Sequence, residues 1–285
     1  LSKKIDAKMP KNIVLGLSTD FFAISDDLKI FNGVQQRLLQ NETLYISLPF
    51  LRVFTIKELE GVIGHELGHF QGNDTIYANK FDPIFRRLNE HFLELDIEFE
   101  KQKKENKSDP LLIKIVIFPF IFLFNEFSRK HEKIQKEQEL KADKYGANAS
   151  ESSKVFINAL SKLYIYNLVW NDTKEKFNII AQDNKKNKIK NLSLEFVQDA
   201  RQLLEKDKLK MYLENLQFFE QVHPSDTHPP LKDRMKNLDV EMKEISNKSL
   251  ANFSPSAASL IPNVDIIEEN LTLVSEEIEK SKNES

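Results

Sequence analysis

Apolar and polar positions change their period several times along the chain, and each change marks an element. Residues 12–18 (NIVLGLS), 21–24 (FFAI) and 42–48 (ETLYISL) are short runs rich in β-branched and aromatic residues that read as strands, with Asp26-Asp27 ending the second before a polar connection. From Thr55 the spacing becomes helical: Leu59, Val62, Ile63 and Phe70 fall on one side, and Thr55-Ile56-Lys57-Glu58 has the S/T-x-x-E form of a capping box. A helix is therefore predicted to start at Thr55 and run toward Asp74. Residues 78–87 read as a turn-containing connection, 88–107 as an amphipathic helix and 128–149 as a highly charged helix. Ser150 then caps a helix through Asn167, with Val155, Ala159, Leu160 and Leu163 on its apolar side. Residues 171–191, which contain DNKKNKIKN, read as an exposed loop, and 192–221 as an amphipathic helix or helix pair. A proline-dense turn at 223–230 starts a helix over 231–245, with Leu231, Met235, Leu238 and Met242 inward. The pattern predicts a mainly α fold with a small N-terminal β-sheet (α+β). It gives one domain over 1–245 and a polar tail over 246–285, the tail holding an amphipathic stretch near 260–274 and a disordered end after Glu279.

One segment departs from this alternation. Residues 111–124, LLIKIVIFPFIFLF, are almost uniformly apolar, interrupted by Lys114 and carrying Pro119. A helix needs about 20 apolar residues to span a bilayer, whereas 10 to 14 suit a core helix or an interfacial or re-entrant segment. Burial in the core and contact with a membrane both remain open for 111–127.

Composition changes the picture in two places. The balance of 41 basic and 44 acidic residues, a net charge of −3, leaves no electrostatic footprint for nucleic acid. The absence of cysteine excludes disulfides, thiol catalysis and thiolate metal sites, so a metal here must be held by His, Asp or Glu.

The predicted Thr55 helix carries His65-Glu66-Leu67-Gly68-His69, an H-E-x-x-H pattern. Residues four apart share a helix face, so the two imidazoles can hold one Zn²⁺, and Glu66 beside them can take a proton from a water whose pKa the metal lowers to about 7. Gly61, Gly64, Gly68 and Gly72 crowd this one helix although the chain has only seven glycines. At roughly 1 kcal/mol each against alanine, they imply close approach of a neighbouring element. On the charged helix, Glu139 and Asp143 lie four apart on a face with Ala142 and Gly146. Docked on the glycines, that face would offer Glu139 as third ligand and Asp143 as acceptor for a ligand imidazole; the same run also reads as a solvated charged face. His228 can reach a site from its rigid turn or serve only as a turn residue. Arg234 lies off the inner side of the helix that begins at Leu231, and His91, without a partner at ligand spacing, reads as surface.

Taken in order, H-E-L-G-H at 65–69, E-L-K-A-D at 139–143 and T-H-P-P-L-K-D-R at 227–234 resemble the HtpX-type and CAAX-prenyl-protease-type zinc metallopeptidases, membrane-associated enzymes of the gluzincin class. PKNIVLGLSTDFF, TLYIS and GHFQGNDTIYANKFDPIF are similar to the multi-pass bacterial branch. The resemblance implies a zincin-like domain with one Zn²⁺ on His65, His69 and Glu139, Glu66 as general base and Asp143 beside a ligand histidine. It also implies that His228 and Arg234 stabilise the oxyanion or organise substrate. The implied activity is endopeptidase action on membrane or misfolded proteins, with a membrane-associated location and a membrane segment before residue 1. A catalytically idle, metal-stabilised module that binds polypeptides is the rival expectation; it would not need Glu66.

Overall fold

The computed structural model describes residues 1–31, 35–70, 110–182, 188–205 and 228–281, with Tyr212 and isolated residues between 84 and 101. The expected connection at 78–87, most of the helix at 88–107, residues 213–221 and the start of the proline-dense turn lie outside the described residues.

Five short strands open the chain: β1 (Asn12–Gly16), β2 (Phe22–Ile24), β3 (Leu28–Phe31), β4 (Gln36–Leu39) and β5 (Thr43–Ser47). β5 is central in a three-stranded sheet, parallel to β1 and antiparallel to β2, while β3 and β4 form a separate antiparallel pair. Leu44 and Ile46 of β5 enter the core. The chain passes directly from β5 into α1 (Leu48–Val53), an element the sequence pattern did not separate from the strand. Ser47 caps it and Pro49 sits in its first turn, where a missing N–H costs nothing. Leu48, Phe50, Val53 and Phe54 are fully buried, so α1 is sunk in the core, packed on the helix Leu192–Glu205 and the turn at Ala257–Leu260.

The helix α2 (Ile56–Gly68) begins as its sequence predicts. Glu58 N–H donates to Thr55 Oγ1 at 3.3 Å and Thr55 N–H to Glu58 Oε2 at 2.7 Å, closing the capping box. The apolar run at 111–124 and the charged run at 128–149 form one helix, α3 (Pro110–Ser150), with Pro119 inside it.

The chain divides into two compact units, Leu1–Phe70 with Leu140–Ser285, and Gln71–Glu139. In the second, the described part of α3 exposes Phe118, Phe122, Leu123 and Phe127. In the first, the last turns of α3 lie against α2. A Cβ on Gly64 would fall 2.3 Å from Ala149 Cβ and 3.1 Å from the Tyr145 carbonyl oxygen, so only glycine lets the two helices come this close.

The helix α4 (Ser153–Gln182) runs through the core and packs on α2 and on α5 (Leu192–Glu205). It overturns the loop expected from 171: Thr173, Phe177 and Ala181, four apart, are buried and extend the helix to Gln182. The helix expected over 231–245 is also corrected. α6 (Leu231–Asn237) ends early, Asp239 takes a φ of 54°, and a single 3₁₀ turn follows at Met242–Glu244.

Beyond residue 246 the chain is folded. α7 (Asn247–Leu250), a 3₁₀ turn at Ala257–Leu260 and α8 (Val264–Ser281) return to the core. Leu250, Ala257 and Ala258 are buried, Ala257 N–H donates to the Phe54 carbonyl at 2.9 Å, and the fully buried Glu268 of α8 accepts from Arg52 Nε at 3.1 Å. Phe253, Ile261, Val264, Ile267 and Leu271 pack against the core as well, between the polar residues that made the stretch resemble a tail.

Candidate metal centre

His65 lies in the last turn of α2 and His69 is the residue that caps its end. Their Nε2 atoms stand 3.3 Å apart with the rings nearly perpendicular, at 88°. Glu139, on the turn of α3 that precedes the Ala142 and Gly146 face, completes a set in which one donor atom from each residue lies within 4.8 Å of the others. His65 and Glu139 are buried and His69 is half-buried.

One turn further along α3, Asp143 is wholly buried with Oδ1 3.1 Å from His65 Nδ1. Burial pushes the Asp143 carboxyl up, but the Arg234 guanidinium and the hydrogen bond from His65 outweigh it and hold the group below the usual carboxylate range. An ionised Asp143 accepts the His65 Nδ1–H, which leaves the lone pair on Nε2 facing His69. Arg234 of α6 is buried as well; its Nε donates to both Asp143 oxygens, at 3.1 and 3.0 Å. α6 is itself tied to α3 by Asn237 Nδ2–H donating to the Leu140 carbonyl at 2.8 Å. Arg234 Nη2 also stands 3.5 Å from His65 Nδ1, so Arg234 meets the histidine directly as well as through Asp143.

A cleft opens beside this group. His65, Glu66, His228 and Arg234 line its polar side, and the His228 ring lies 6.2 Å from that of His65. Val62, Phe156, Leu160 and Leu163 form an apolar wall, and Thr19 and Asp20 complete the lining. His91 is exposed, 3.4 Å from Glu94.

The structure thus brings together His65, His69 and Glu139, sets Asp143 and Arg234 behind His65, and puts Glu66 and His228 on the adjoining cleft. The sequence reading did not single out Thr19, Asp20 or Phe156, and it placed Leu160 and Leu163 only on an apolar side. Helical period marks an apolar face without separating core from cleft, and no pattern marks an acid in a strand connection. Two imidazole nitrogens and a carboxylate oxygen, two of the three residues buried and one oriented from behind, fit a borderline divalent cation such as zinc.

Searches among curated proteins and among solved structures return no match. The sequence profile of peptidase family M48, a family of zinc metallopeptidases, matches residues 31–242. That stretch is about three-quarters of the chain and includes the His65, His69 and Glu139 cluster and the residues behind it, and the chain belongs to peptidase family M48.

Proposed function

We propose that the protein is a zinc-dependent endopeptidase with a zincin-like domain, of the HtpX-type or CAAX-prenyl-protease-type branch, acting on membrane or misfolded proteins. The convergence of a two-histidine, one-carboxylate donor set with Glu66 and His228 on one cleft carries this reading. His65, His69 and Glu139 hold one Zn²⁺, which when bound would polarise the scissile carbonyl and acidify a water molecule. Glu66 takes the water's proton and returns it to the leaving amine. His228 donates a hydrogen bond to the oxygen that gains charge as the carbonyl is attacked. Asp143 keeps His65 in the tautomer that presents Nε2, and Arg234 keeps Asp143 ionised and in place.

The exposed Phe118, Phe122, Leu123 and Phe127 support bilayer contact by that stretch of α3, and with it a membrane-associated location. No helix among the described residues is long and apolar enough to cross a membrane. Casein hydrolysis by the wild type and by Glu66→Gln, with zinc measured on both, tests the mechanism. The variant is expected to keep its zinc and lose about 10²- to 10⁴-fold in rate. Equal hydrolysis by the two proteins would overturn the mechanism, whereas no hydrolysis by either, with zinc retained, would favour the polypeptide-binding rival.

A further inference from the structure

Thr19 and Asp20 lie in the connection between β1 and β2, before the first residue of the family match, yet both line the cleft beside Glu66. The connection is anchored at two points and braced by one hydrogen bond within itself. Thr19 Oγ1–H donates to Asn167 Oδ1 of α4 at 2.9 Å, Ser18 N–H donates to the Tyr45 hydroxyl oxygen at 3.0 Å, and Ser18 Oγ–H donates to the Asp20 carboxylate. Asp20 makes no ion pair among the described residues. The other fixed charge on this lining, Arg234, is taken up by Asp143. Apart from the reacting groups, the cleft therefore offers one held carboxylate and an apolar wall of Val62, Phe156, Leu160 and Leu163.

We infer that Asp20 is a specificity residue that selects a substrate cation, the side chain of a lysine or arginine close to the scissile bond, with its aliphatic stem along Leu160 and Leu163. The inference rests on the peptidase reading. A long side chain with an apolar stem and a charged head suits a slot that is apolar along its wall and anionic at one point. A free N-terminal ammonium is the other source of the same charge, but it brings no stem to the apolar wall.

The test uses the zinc-loaded full chain and otherwise identical peptides carrying Lys, Arg, norleucine or Glu beside the cleaved bond, each N-acetylated and with a free amine. The acetylated Lys and Arg peptides are expected to show kcat/KM about tenfold above norleucine, with Glu the poorest. Asp20→Asn should remove that advantage and leave the norleucine peptide unchanged, which also serves as the control for folding. Asp20→Lys should turn the preference toward Glu. A gain that appears only with the free amine overturns the side-chain assignment in favour of the chain terminus. Equal losses on all peptides, or a wild type without charge preference, overturn the inference while the peptidase reading stands. If no peptide is cleaved, the peptidase reading falls and takes this inference with it.

Discussion

The two ends of α2 handle buried charge in opposite ways. At its start, Glu58 is buried against the fully buried Lys162 at 2.8 Å, Lys162 also donates to the Val53 carbonyl at 2.9 Å and to that of Asn252, and Asn158 donates to Glu58. Burial pushes the Lys162 ammonium below its usual pKa, and Glu58 opposes that without cancelling it. At its end, the buried Asp143 and Arg234 pair stands behind His65. Both clusters are charges taken out of water and matched by hydrogen bonds, which is what makes such burial tolerable. The first faces inward and fastens α1, α4 and the Asn252 segment to the helix start. The second directs its effect through one imidazole to an atom that faces His69 and Glu139. A buried ion pair thus serves stability when its hydrogen bonds close on the core, and function when one partner hands its orientation to a ligand.

This contrast can be broken by substitution, and the largest effect belongs to the helix start. Lys162→Met leaves Glu58 buried without its cation and is expected to destabilise the fold by about 3–5 kcal/mol in urea unfolding, while molecules that remain folded still bind zinc. Adding Glu58→Gln should recover much of that loss, and a single variant within 1 kcal/mol of wild type would contradict the role given to Lys162. Gly64→Ala drives a methyl into the Ala149 Cβ and the Tyr145 carbonyl, forces α2 and α3 apart and should cost about 3 kcal/mol, with weaker zinc binding because Glu139 rides on α3. Unchanged zinc affinity in that variant would separate the helix contact from the metal centre.

At the other end, Asp143→Asn should lower zinc affinity by about 10- to 100-fold in competition titrations with a chelator, and because it leaves Arg234 buried without its anion it should also destabilise the fold by up to about 3 kcal/mol in urea unfolding. The same group sets a pH dependence. Its folded pKa is below the unfolded value, so its stabilisation is present at neutral pH and lost as pH falls through the lowered value. The metal-free Asn variant should therefore show a shallower acid limb than the metal-free wild type. The smallest effect is expected for Thr55→Ala, about 1 kcal/mol from loss of the cap, with zinc binding unchanged.

How far each element was legible in the sequence depends on the range of the contacts that build it. The capping box, the His65 and His69 face and the glycine stripe are local features set within a few residues, and α2 appears where they predict it. Glu139 and Asp143 required a guess about docking, which the small Ala142 and Gly146 beside them made reasonable. Lys162 gave no sign, because a lone lysine on an amphipathic helix reads as solvent-facing until the Val53 and Asn252 carbonyls arrive from distant parts of the chain. The continuation of α4 to Gln182 was written in the four-residue spacing of Thr173, Phe177 and Ala181, but the polar residues between them concealed it. The segment after 246 reaches the core through backbone carbonyls, Glu268, the buried Leu250, Ala257 and Ala258, and the Val264, Ile267 and Leu271 face of α8; that face is the amphipathic stretch visible in the sequence, whereas the carbonyl and Glu268 contacts leave no periodic apolar signal.

The central claim is that the group formed by His65, His69 and Glu139 holds the ion on which peptide hydrolysis depends. Its most direct test is zinc content and casein hydrolysis measured together on one purified sample, before chelation, after it and after zinc is returned. About one zinc per chain is predicted, with hydrolysis lost on removal and restored on return. Hydrolysis that persists in metal-free protein would contradict the account.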